Sequence, residues 1–89
     1  MSIKIVISFE VSGFSEMKSV FDAAADARTE AGIAAEAYRN MDAPNNAWVI
    51  GTAPSKEAFT AFFSSPAQKE RMRNAGVISP PTVTLLESA

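Results

Sequence analysis

The sequence predicts an α+β sandwich, a four-stranded antiparallel sheet with its helices on one face, and three observations predict it. Residues 3 to 11 alternate, with Ile3, Ile5, Ile7, Phe9 and Val11 on one side and Lys4, Val6, Ser8 and Glu10 on the other; this is the period of a half-buried strand. Met17, Val20, Phe21, Ala24, Ala27 and Ala31 then recur at helical spacing. The remaining chain repeats the theme as strand, strand, helix pair, strand. With right-handed crossovers that order gives the spatial sequence 4-1-3-2.

Each element has its own local signals. The first helix is expected over residues 15 to 31, with Ser15 at its start and Gly32 followed by Ile33 as a left-handed stop. Residues 34 to 41 and 47 to 53 are expected as two strands around the turn DAPNN, in which Pro44 fixes a turn dihedral. From Ser55 a helix begins with Ala58, Phe59, Phe62 and Phe63 on its buried side, and it stops at SSP. Ser65, Pro66 and Gln68 form a second start, in which serine caps, proline takes the first turn and glutamine can reach back. That short helix ends at Ala75, where Gly76 and Val77 repeat the earlier stop. Pro80 and Pro81 admit only extended chain before TVTLLE, and a strand entered through two prolines belongs at a sheet edge. The whole is a ferredoxin-like βαββαβ sandwich, its second helix broken in two, filling one domain from 1 to 89.

Composition removes several classes of function. Eight basic and ten acidic residues leave a net charge of −2, and Lys69, Arg71 and Arg73 are interleaved with Glu70. No nucleic acid is expected as a partner, because such binding needs a dense cationic surface. With neither cysteine nor histidine in 89 residues, no thiolate or imidazole metal site can form, and no metal or cofactor is expected. The first ten residues form an alternating strand and lack a secretion signal's unbroken apolar run. No segment approaches the roughly 20 apolar residues that cross a bilayer, so no membrane partner is expected and a cytoplasmic location is.

The sheet face turned away from the helices should carry Val6, Ser8, Thr84, Leu86 and either Val49 or Ile50. Covering it would bury several hundred Å² per chain, at about 25 cal/mol per Å² before association costs. A homodimer joined sheet to sheet is therefore expected.

The run MDAPNNAWVIGTA, continuing through SKEAFTAFFSSPAQKERMRNAGV to PPTVTLLE, resembles the dimeric α+β barrel superfamily, which contains the antibiotic-biosynthesis monooxygenases. The resemblance covers nearly the whole chain and rests on scaffold features: a turn, a helix break and a glycine stop. It implies a dimeric α+β barrel. Relatives include cofactor-free oxygenases of polycyclic phenols, haem-degrading oxygenases, lactone isomerases and stress-response proteins. Several place a histidine on the helices facing the pocket; this chain has none and shows Phe62 and Phe63 there. Tyr38, Arg39, Asn40 and Trp48 match by type the residues with which related enzymes hold a phenolate near oxygen. No catalytic role is transferred to them.

Read on its own, Trp48 is a core or pocket-wall residue whose indole N–H needs a partner. Arg39 shares strand parity with Ala35, Ala37 and Met41; its guanidinium either snorkels to the rim or anchors an anion in a cavity. Tyr38, Asn40 and Glu36 fall on the other side. The hairpin's parity decides between these arrangements. An even register, with Met41 opposite Trp48 and Arg39 opposite Ile50, is expected, because it turns the more apolar set toward the helices. Asp22, Asp26 and Glu30 recur along a ridge of the first helix and read as a solvated face rather than a cation site. Arg71 and its basic neighbours read as favourable to the helix dipole, and Met17 and Met72 as core.

Two functions follow from this. One is a module binding a small apolar or aromatic ligand between sheet and helices, lined by Arg39, Trp48, Phe59, Phe63 and Met72. The other is a cofactor-independent monooxygenase or isomerase acting on a phenolic compound in that pocket. The first is preferred, because proton transfer near neutral pH needs a tuned base.

Overall fold

The computed structural model describes residues 2–88. Its elements are β1 (Ile3–Glu10), α1 (Phe14–Ala23), α2 (Ala25–Glu30), β2 (Ala34–Asn40), β3 (Ala43–Ala53), α3 (Lys56–Phe63), α4 (Pro66–Asn74) and β4 (Thr82–Leu86). The sheet has the order β2-β3-β1-β4 with every pair antiparallel. This is the expected 4-1-3-2 read from the other edge. The four strands make an open sheet with β2 and β4 as edges, and within one chain no barrel closes.

The alternation in β1 sorts the layers. Ile5, Ile7, Phe9 and Val11 are buried with Met17, Ile33, Val49, Phe59 and Ala75 in one core between sheet and helices. Two glycine stops hold the helix ends to it. Gly32 and Gly76 both have φ 76°, which lets Ile33 N–H reach the Arg28 carbonyl at 2.9 Å and Val77 N–H reach that of Met72 at 3.2 Å. Val77 then bridges to Val11, pinning the end of α4 to the end of β1. Ser55 and Ser65 cap α3 and α4 through the Ala58 and Gln68 amides, and Pro66 occupies the first turn of α4.

Three local expectations are corrected. The first helix starts at Phe14 with Gly13 at its cap, so Ser15 caps nothing. It also breaks at Ala24, whose N–H is shared between the Val20 and Phe21 carbonyls at 3.2 Å each. Small residues there let α2 turn toward β2. Gln68 does not reach back to its cap; its Oε1 accepts from Arg71 at 3.2 Å.

The hairpin differs most. The turn is Met41–Asp42 alone, fastened by the Asp42 amide donating to Asn40 Oδ1 at 2.9 Å, and Ala43–Asn46 belong to β3. Arg39 pairs with Ala47 but Asn40 with Ala43, so Pro44, Asn45 and Asn46 bulge out of the ladder. Proline has no N–H to offer it, and Asn45 turns its carbonyl to Val11 N–H instead, at 2.9 Å. The even register is therefore overturned: Tyr38, not Met41, lies opposite Trp48, and Met41 is 96% exposed.

Candidate ligand-binding site

Between sheet and helices lies an apolar cleft whose enclosed part measures about 80 Å³. Its floor is Ile5, Ile7 and Phe9 of β1 with Val49 of β3 and Ala35 of β2; Met17 and Phe21 of α1 with Ala24 just after it form one wall, and Phe59, Phe62, Phe63 and Met72 of α3 and α4 the other. Small side chains at Ala24, Ala35 and Ala75 leave the space. Phe59 and Phe63 stack with centroids 5.2 Å apart. The enclosed space is well short of the roughly 300 Å³ at which ligand pockets begin. Phe62, Phe63 and Met72, all half-buried, would move outward to admit a ring, and methionine does so at low cost because three bonds rotate.

Of the five residues expected to line a pocket together, Phe59, Phe63 and Met72 do so. Trp48 and Arg39 do not. Trp48 is on the opposite sheet face, in a row Tyr38–Trp48–Ser8–Thr82 set by the strand registers. Its Nε1 donates to Asn46 Oδ1 at 2.6 Å, and that oxygen also accepts from Asn40 Nδ2 at 3.0 Å. Asn46 Nδ2 in turn donates to Ser8 Oγ at 3.2 Å and to Glu10. The bulge makes this network by bringing Asn46 next to Ser8 and Glu10. Arg39 does share the helix-side face with Ala35 and Ala37, but it snorkels to the rim, its guanidinium 5.7 Å from the Phe14 ring.

Tyr38 is 47% exposed and donates to Glu36 at 3.1 Å. That hydrogen bond, with the charge of Glu36, raises the phenol above its usual pKa. The group is held protonated, the reverse of what a base requires.

The polar groups that do line the cleft are Arg28, Gln68 and Arg71, and Arg28 went unnoticed in the sequence. Its Nη1 donates to the Phe21 carbonyl at 2.7 Å and its guanidinium lies 3.7 Å from the centre of the Phe21 ring. Burial lowers its pKa, Asp22 opposes that, and Arg71 adds to it. Arg71 lies 5.7 Å from the Phe62 ring; it is in the last turn of α4 as the dipole argument expects, but also at the cleft mouth. The only sequence signal for Arg28 was its place two turns after Phe21. Asp22 pairs with Lys18 at 2.8 Å, and among the described residues no three carboxylates converge to hold a metal.

The fold is that of the antibiotic biosynthesis monooxygenase-like α+β barrel proteins. An antibiotic biosynthesis monooxygenase-like protein from Bordetella bronchiseptica superposes with a TM-score of 0.84 over 99% of this chain and 97% of its own, at 16% identity. SnoaB, a cofactor-independent oxygenase from Streptomyces nogalater, gives 0.78 over 99% and 93% at 21% identity. A conserved protein from Methanosarcina mazei gives 0.80 over 100% and 94% at 10% identity. No family model matches the chain, and no curated protein matches its sequence. Among the described residues no helix is long and apolar enough to cross a membrane.

Proposed function

We propose that this protein is a homodimer that binds a small apolar or aromatic molecule in the cleft between its sheet and its helices. The observation behind the binding reading is the lining itself: five phenylalanines and two methionines around unfilled space, with Arg28, Gln68 and Arg71 as the polar side chains among them. The dimer reading is supported by the uncovered sheet face, where the row Glu36–Ile50–Val6–Thr84 runs across all four strands. Ile50, Leu86 and Tyr38 are 38, 49 and 47% exposed there. A second copy covering this face would also bury the Trp48–Asn46 network, whose polar atoms are already paired within the chain.

Cofactor-independent oxygenation or isomerisation of a phenol is the second reading, supported by the shared fold of SnoaB. It is the weaker one because, among the described residues, no carboxylate, histidine or tyrosine lines the cleft to take a proton. Oxygen uptake with a panel of hydroquinones and anthrones separates the two: no uptake above a boiled control is expected, and turnover would establish the second. Light scattering at low micromolar concentration tests the dimer. Twice the chain mass is expected, with Ile50→Asp shifting it toward one, and a clean monomer overturns the reading.

A further inference from the structure

The charges at the cleft mouth specify more about the ligand than the apolar lining does. Arg28 and Arg71 both border the same cleft, each lies over a phenylalanine ring of its wall, and neither has a carboxylate within salt-bridge distance: the ion pairs among the described residues are Lys18–Asp22 and Arg73–Glu70. Asp22 offsets part of the cost of burying Arg28, but with neither guanidinium ion-paired, an anion that reaches both gains from two positive charges. A guanidinium over a ring still presents N–H donors at its edge, in a fork that suits two oxygens of one group. Gln68 fixes Arg71, and the Phe21 carbonyl fixes Arg28, so both forks are oriented before any ligand arrives.

We propose that Arg28 and Arg71 form an anion clamp at the mouth of the cleft, and that its ligand is an amphipathic organic acid, with its apolar body against Phe59, Phe63 and Met72 and its anionic oxygens between the two guanidiniums. This rests on the reading that the cleft binds a ligand. An anion there gains from both positive charges and returns to Arg28 the solvation that burial removes. It also accounts for two arginines where solubility alone would be served by any exposed cation.

Two fluorescent probes of similar ring size test it: anilinonaphthalenesulfonate, an anion, and phenylnaphthylamine, its neutral counterpart. Both should bind the native protein, and only the sulfonate should weaken as ionic strength rises. Arg28→Gln and Arg71→Gln should each lower sulfonate affinity by about tenfold, the loss expected for one charge-assisted hydrogen bond, and leave the neutral probe within twofold. Arg73→Gln, whose charge is paired with Glu70 and is 74% exposed, and Arg39→Gln, outside the cleft, should change neither. Near-ultraviolet dichroism must match the native protein, because a loosened core also binds the sulfonate. Arg28 also holds the Phe21 carbonyl, so if Arg28→Gln fails to fold, Arg71→Gln decides. If both probes bind and the arginine variants leave sulfonate affinity unchanged, the clamp is wrong and the pocket stands. If neither probe binds, pocket and clamp fall together.

Discussion

Phe59→Ala tests whether the cleft is held open by its walls or is a gap the fold can close. Phe59 is 4% exposed and stacked on Phe63 at an interplanar angle of 17°. Burying such a ring contributes about 1.5–3 kcal/mol. If α3 stays in place, the void joins the existing 80 Å³, and each additional ~100 Å³ costs a further ~2.4 kcal/mol at ~24 cal/mol per Å³. The expected loss is therefore about 4–5 kcal/mol, at the upper end of Phe→Ala substitutions and a large fraction of the roughly 5–15 kcal/mol available to a domain. Urea unfolding followed by circular dichroism, at one fixed chain concentration because association also contributes, measures it. The enlarged space should then take benzene: at about a hundredfold its Kd the ligand should restore ~2.7 kcal/mol, and stabilise the variant more than the native protein. A loss below ~1 kcal/mol, well under the usual range, would refute the reasoning, as would no preferential rescue, since either result means that Phe62 and Phe63 collapse into the gap.

Two further outcomes follow from local geometry. A Cβ at Gly51 would sit 2.0 Å from the Ala34 carbonyl oxygen and 2.6 Å from Ala35 Cα. Both are backbone atoms, so β2 and β3 must part, and Gly51→Ala should lower stability by about 1–3 kcal/mol despite alanine's lower chain entropy; an unchanged urea midpoint contradicts this. The chain's single tyrosine should ionise above its usual range, read as phenolate absorbance, and Glu36→Gln should bring the midpoint down. Because the folded pKa is the raised one, the Tyr38–Glu36 contribution is full below the unfolded tyrosine pKa and is lost as pH rises through the folded value. A midpoint at or below that of a model tyrosine argues against the hydrogen bond.

The sequence alone determined what depends on neighbours along the chain. Alternation in residues 3 to 11 named the buried side of β1, the Gly32–Ile33 and Gly76–Val77 pairs placed two helix stops, Ser55 and Ser65 marked two helix starts, and the paired prolines sent β4 to an edge. These signals work because a cap, a left-handed stop or a missing N–H acts within a few residues. The parity of the hairpin is a different kind of quantity. Asn45 gives its carbonyl to Val11, 34 positions away, and that contact, invisible along the chain, draws Pro44–Asn46 into β3 and turns Trp48 to the open face. Arg28 is the other case. On an unbroken helix it would be one more cation; the bend at Ala24 lays it on Phe21 and on the cleft that Arg71 of α4 also lines. Phe59 and Phe63 could be placed from helical period alone, because an apolar stripe has only the core to face. Trp48 and Arg39 could not, because an amphipathic side chain is stable on either side of a thin sheet and only the packed partners decide which.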